Sequence, residues 1–195
     1  MDRKTSVSRK TKETEIFIRF DIDGSGKANI STGIPFFDHM LTAFAVHGFF
    51  DLEIKATGDI DVDFHHTIED VGLVLGQALA KTLEIKNRIV RFGANSVPMD
   101  EALSSVSIDL SKRPFLVYNV QPVAGKGSNF DIPLAKEFFR AFANTAGMNL
   151  HINLLYGENE HHIIESIFKA TGRALDQAVT GDDRISDVRS TKGTF

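Results

Sequence analysis

Residues 64–70 read FHHTIED, and residues 160–166 read EHHIIES. Each contains two adjacent histidines followed three residues later by a glutamate, and together they use four of the seven histidines in the chain. Working outward from the two copies, the flanking elements also correspond. Leu41 and Phe44 fall on Phe139 and Phe142, Leu52 and Ile54 on Leu150 and Ile152, Gly58 on Gly157, and His65–His66 on His161–His162. So many correspondences in one order indicate an internal duplication.

Hydrophobic periodicity supplies the elements of each half. TEIFIRFDID (14–23) alternates as a half-buried strand does, GSG turns the chain, and KANIS is expected to return as its hairpin partner. PFFDHMLTAFAVHG opens on Pro35 and closes on Gly48 with apolar residues three or four apart, which predicts a helix. FFDLEIKA (49–56) reads as a strand. Ile68, Val71, Leu75, Leu79 and Leu83 mark a second amphipathic helix from about His66 to Lys86. NRIVRFGANSVPMDEAL, with its Gly, Asn and Pro, reads as a connection. The order then repeats, with strands at LSSVSIDLS and FLVYNVQ, a helix at IPLAKEFFRAFANTAG, a strand at MNLHINLLYG and a helix at HHIIESIFKATGRALDQAV. The expected fold class is α+β. It consists of duplicated ββαβα half-domains related by pseudo-twofold symmetry, with helices packed against mixed β-sheets. The repeats span about 10–97 and 98–182 and leave a tail at 183–195.

Bulk composition narrows the partners. A formal charge of −4 gives no basic field for nucleic acid or an anionic membrane. No stretch approaches the roughly 18 apolar residues of a membrane helix, and MDRKTSVSRKTKE lacks the apolar core of a secretory signal, so a cytoplasmic protein is expected. Cysteine is absent. Any metal must therefore be held by imidazole nitrogen and carboxylate oxygen, a donor set open to Mn, Fe, Zn, Co or Ni.

At a helix start, His65 and Glu69 share a face, as do His161 and Glu165, so each pair can chelate one ion. His66 and His162 lie about 100° further round and would not reach the same ion, which favours two metal centres. His47 and His151 are the available extra donors. A single histidine is most often a solvated or hydrogen-bonded residue, and it is the matched duplication that raises these above that reading. Asp63, Asp70 and Glu160 can fix histidine tautomers or can be simple helix-terminal charges. His39, inside an amphipathic helix, is expected to pack or to make a structural hydrogen bond. AGKGSNFD (124–131) lacks the spacing of a nucleotide loop and reads as a hairpin or interface loop.

STGIPFFDHML, HGFFDLEIKATGD, DFHHTIEDVGLVLGQAL, MDEAL, NTAGMNLHI, GENEHHIIESIFKA and STKG, in this order, resemble the imidazoleglycerol-phosphate dehydratase family in its single-function form. The resemblance implies loss of water from D-erythro-imidazoleglycerol phosphate to give imidazoleacetol phosphate in histidine biosynthesis. It also implies two Mn²⁺ per active site and a homo-oligomer of 24 subunits with sites where subunits meet. Carried onto this chain, it makes His47, His65, His66, Glu69, His151, His161, His162 and Glu165 metal ligands. It places Glu13 at the substrate's reacting carbons, with Glu69 and Glu165 beside it in the catalytic centre, and Arg91, Arg113, Ser190 and Lys192 at the phosphate.

Such chemistry needs an electron sink, because the departing proton sits on a carbon that no carbonyl activates. A metal on a ring nitrogen favours imidazolate, from which hydroxide can be expelled, and a carboxylate then completes the proton transfer. Guanidinium forks and an ammonium suit the phosphate end. Two other readings use the same ligands: a dinuclear metallohydrolase releasing inorganic phosphate, and a metal-pinned structural assembly without turnover.

Overall fold

The computed structural model describes residues 3–84, 88–122 and 130–185. Its elements run β1 (Lys4–Lys10), β2 (Thr14–Asp21), β3 (Ala28–Ser31), α1 (Pro35–His47), β4 (Asp51–Gly58) and α2 (His65–Leu83) in one half. The second half repeats them as β5 (Phe92–Met99), β6 (Ala102–Asp109), β7 (Phe115–Asn119), α3 (Ile132–Ala146), β8 (Asn149–Tyr156) and α4 (Glu160–Val179). Two four-stranded mixed sheets result, ordered β1-β2-β4-β3 and β5-β6-β8-β7. The α+β duplication is therefore present, with one strand more in each half than the ββαβα pattern predicted.

Both extra strands are edge strands, and their sequences disguise them. β1 buries only Val7 among charged and hydroxyl residues, and its outer edge makes no ladder among the described residues. β5 contains Gly93, Asn95 and Pro98, residues that argue for a turn, but an edge strand tolerates proline because one side of its backbone needs no ladder partner. Gly93 is required by close packing, since a Cβ there would stand 1.8 Å from the Ala174 carbonyl oxygen on α4. The connection read at NRIVRFGANSVPMDEAL is thus largely a strand of the second sheet, and repeat boundaries at 10 and 98 cut off β1 and most of β5. The KANIS hairpin is also corrected. β3 pairs with β4, in parallel, and β4 lies between it and β2. A β3–α1–β4 crossover makes this connection, and β7–α3–β8 repeats it.

The helices occupy the space between the sheets. α2 packs on β1, β2 and β4, and α4 on β5 and β6, each covering its own half's sheet. α1 and α3 cross over instead, α1 lying against α4 and α3 against α2. Phe37 from α1, Phe138, Phe139 and Phe142 from α3, and Phe168 from α4 are all buried. Their rings meet at 5.4 Å (Phe37–Phe138), 5.3 Å (Phe138–Phe168) and 4.8 Å (Phe139–Phe168). Both halves therefore share one aromatic core.

Three glycines, Gly72, Gly76 and Gly172, set the helix-to-helix distance. A Cβ at Gly172 on α4 would lie 2.4 Å from the Phe44 carbonyl oxygen of α1, and one at Gly76 on α2 would lie 2.6 Å from the Phe142 carbonyl oxygen of α3. The backbone contacts between α2 and α3 also show that this pair runs parallel. Gly72 meets Phe138 and Gly76 meets Phe142, so residue numbers rise together along both helices. Replacing either Gly76 or Gly172 by alanine forces the backbones apart and is expected to cost about 1–3 kcal/mol of stability, read from urea unfolding.

Candidate metal and substrate site

The paired histidines lie in the first turns of α2 and α4, where the local sequence fixes their backbone. Asn159 caps α4, its side-chain oxygen accepting from the His161 and His162 amides at 2.9 and 3.4 Å. Before α2, the Asp63 carboxylate accepts from the His65 amide at 2.8 Å. Both pairs are thus already helical, and the expected face-sharing follows. His161 Nε2 lies 3.0 Å from Glu165 Oε2, and His65 Nε2 lies 3.7 Å from Glu69 Oε2.

A third donor joins the α4 pair from the neighbouring helix. The packing of α1 brings His39 Nε2 to 3.4 Å from the same Glu165 oxygen. Among the described residues, His39, His161 and Glu165 are the one group of three whose ligand atoms lie within 4.8 Å of one another. Of the two expectations for His39, core packing does not hold, because the side chain is exposed, whereas a polar contact does, with Glu165 as its partner. Phe36 on the same helix sets its ring edge-on to His161 at 4.9 Å. Glu165 is buried; burial opposes its ionisation, but Lys169, at 2.7 Å from Oε1, together with His161 and His39, outweighs this and holds its pKa below the ordinary value.

The duplication supplies a counterpart in the other helix pair. Aligning Leu41 and Phe44 with Phe139 and Phe142 places Glu137 where His39 stands. Glu137 on α3 shares Arg140 with Glu69 on α2, the Arg140–Glu69 separation being 3.9 Å. Glu137 and Arg140 escaped the sequence reading, although the same alignment points to position 137.

The second histidine of each pair turns to a carboxylate from another element. His66 Nδ1 lies 3.0 Å from Asp59 Oδ2, just after β4, and His162 Nδ1 lies 2.7 Å from Glu101 Oε2, in the β5–β6 turn. These hydrogen bonds raise the pKa of both histidines, and the His162 contact is the main cause that holds Glu101 down to about 2. The three carboxylates considered from sequence act elsewhere. Asp63 accepts from the His65 amide, Asp70 binds Thr14 and Arg9, and Glu160 accepts from the Ile132 amide at 3.3 Å.

The remaining candidates scatter within one chain. His47 ends α1, eight residues beyond His39, outside the three-ligand group; burial, with Lys169 and Arg173 nearby, lowers its pKa. His151 lies on the outer face of the second sheet, between Ser107 and Val117, while its neighbours Leu150 and Ile152 face the helices. Glu13 sits in the β1–β2 turn, where its carbonyl accepts from the Asp59 amide at 3.2 Å and its charge contributes to the raised pKa of His66. Arg91 is held by Asp109 through Nε and Nη2 at 2.6 and 3.0 Å, and its amide donates to the Ala178 carbonyl in the last turn of α4. A 17-residue separation along that helix puts it about 25 Å from His161. Arg113 is at the same end, its carbonyl held by Asn149 where β8 begins. Ser190 and Lys192 lie outside the described residues, as does most of the 124–131 turn.

The family model for imidazoleglycerol-phosphate dehydratase matches residues 32–175. The chain belongs to the imidazoleglycerol-phosphate dehydratase family. Curated relatives of that name include one from Acetivibrio thermocellus, 58% identical over 193 residues and 99% of both chains, and one from Geobacter sulfurreducens, 54% identical with the same coverage. A solved dehydratase from Pyrococcus furiosus is 39% identical, covers 97% of this chain and all of its own, and superposes with a TM-score of 0.86. The Staphylococcus aureus enzyme gives 40%, 92% and 99%, and a TM-score of 0.83. The protein is thus a hydro-lyase of histidine biosynthesis acting on a small molecule, with a possible His/Glu metal site. Among the described residues, no helix is long and apolar enough to cross a membrane.

The Asn159 cap orders the turn that carries both α4 histidines. Asn159→Ala is expected to cost about 1 kcal/mol in stability, measured by thermal unfolding of matched samples.

Proposed function

We propose that this dehydratase is metal-dependent and that its active sites are completed between subunits, as the family resemblance implies for Mn²⁺ and a 24-subunit assembly. The observation that carries the metal reading is the convergence of two imidazole nitrogens on one buried carboxylate oxygen at His39, His161 and Glu165. Imidazole nitrogen and carboxylate oxygen form a donor set suited to a divalent first-row ion. His39, His161 and Glu165 would hold one such ion. His65 and Glu69 would contribute to a second, with Glu137 beside them, and His66 and His162 would offer their Nε2 atoms. His47 and His151, ligands by resemblance, stand apart from the three-ligand group within one chain. A divalent ion here would supply Lewis acidity that stabilises negative charge on the substrate's imidazole ring.

The chain's own residues supply positioning and proton transfer. Glu13 has no hydrogen-bond or ion-pair partner for its carboxylate among the described residues, and its charge acts on His66. It would carry the proton taken from carbon. Arg91 and Arg113 offer guanidinium forks for a phosphate, joined in the proposal by Ser190 and Lys192. Their distance from the α4 histidines of the same chain exceeds the span of a three-carbon phosphate ester, which supports sites shared by neighbouring subunits. A cytoplasmic location completes the proposal.

Chelator-stripped protein is expected to lose at least about a hundredfold in activity and to regain it with Mn²⁺, followed through ultraviolet absorbance of the enolised ketone product. Full turnover without metal, or release of inorganic phosphate, would overturn the reading. Glu13→Gln is expected to lower kcat by roughly 10²–10⁴-fold while Mn²⁺ affinity stays the same. Mixing and reassembling two inactive variants, Glu165→Gln and Arg113→Ala, should restore measurable activity, since some mixed sites then contain both intact groups. Sites closed within single subunits would give none.

A further inference from the structure

The turn before β2 and the turn before β6 are counterparts in the duplication. Glu13 immediately precedes β2 and Glu101 immediately precedes β6, and the burial patterns of these strands match residue for residue up to Asp21 and Asp109 except at Glu15/Leu103. The two glutamates nevertheless do different things. Glu101 Oε2 accepts from His162 Nδ1 at 2.7 Å, while its Oε1 accepts the backbone amides of Asn159 and Glu158 at 2.8 and 3.3 Å. In the other half, the corresponding contact to His66 comes from Asp59, and the Glu13 carboxylate is left without a hydrogen-bond or ion-pair partner among the described residues.

We propose that Glu101 and Asp59 are positioning residues that fix His162 and His66 with the proton on Nδ1 and the lone pair on Nε2, and that Asp59, by taking this task, frees Glu13 for the substrate. This rests on the metal reading given above. The physical reason is that an imidazole can bind a cation only through an unprotonated nitrogen, and a carboxylate, which has no proton to donate, compels the facing nitrogen to keep its hydrogen. Of the seven histidines, these two are the ones with Nδ1 held by a carboxylate in the described structure. Neither belongs to the three-ligand group found among the described residues. At His162 the Asp100 carboxylate lies 3.5 Å from Nε2 and is 72% exposed, a longer and better-solvated contact than the 2.7 Å bond between Glu101 and Nδ1, so Glu101 sets the tautomer.

Glu101→Gln separates this role from a purely structural one. The amide oxygen of the new residue can keep the bonds to the 158 and 159 amides, so the loop before α4 stays capped. Its NH₂ group then faces His162 Nδ1 and, as a donor, compels the opposite tautomer, with hydrogen on Nε2 where the metal would bind. Titration of Mn²⁺ alone into the chelator-stripped full-length protein is expected to show at least about tenfold weaker binding at one class of site in Glu101→Gln, with an unchanged melting temperature before metal is added. ¹⁵N-histidine solid-state NMR of the metal-free proteins at alkaline pH should show one imidazole changing from the Nδ1–H to the Nε2–H form. An unchanged Mn²⁺ affinity with wild-type tautomers would overturn the inference. Should wild-type protein bind no metal, the metal reading fails, and the tautomer measurement still decides whether Glu101 orients His162.

Discussion

Helices from opposite halves lie backbone against backbone at Gly172 and Gly76, and the site depends on that contact. α1 is covalently part of the first half, yet it is the helix that brings His39 to Glu165 in the second. Its depth along α4 is set where the Phe44 carbonyl meets the missing Cβ of Gly172, five residues along α1 from His39 and seven along α4 from Glu165. A shift of about one residue, roughly 1.5 Å along the axis, would rotate His39 away from Glu165 by about 100°. The aromatic core of Phe37, Phe138, Phe139, Phe142 and Phe168 resists such a slip because its rings come from α1, α3 and α4 together.

Duplication built the frame, and divergence at few positions made its halves chemically distinct. His39 faces Glu165 where Glu137 stands near Glu69, so one helix pair presents two imidazoles and one carboxylate, and the other presents one imidazole and two carboxylates with Arg140 between them. The second pair therefore carries more negative charge, which Arg140 partly offsets.

Legibility from sequence followed the physics of each element. α3 was plain because Asp131 caps it through the Leu134 amide and Gly147, at φ +69°, ends it in a left-handed turn. β1 and β5 were not, because an edge strand buries little and tolerates Gly and Pro. Missing them hid the correspondence of Glu13 with Glu101, which is visible only once both strands preceding those turns are in place. The face shared by His65 and Glu69, and by His161 and Glu165, followed from helical spacing alone. The choice of His39 over His47 could not, since both lie on α1 and only its packing against α4 decides which one meets Glu165. The β3 hairpin failed for a similar reason: a short strand before a helix can pair with the strand before it or with the one after the helix, and local sequence does not distinguish them.

The separation of charges along the second half gives the arrangement its remaining logic. Acidic and imidazole groups gather at the start of α4, where backbone amides point outward and favour anionic ligands of a cation, while Arg91 and Arg113 gather beyond its end, where carbonyls favour cations. Each end is electrostatically settled without the other: Arg91 by Asp109, and Glu165 by Lys169. Within one chain the Arg91 guanidinium therefore stands a helix length from the imidazole–carboxylate cluster, and each group folds with its own counter-charge already in place.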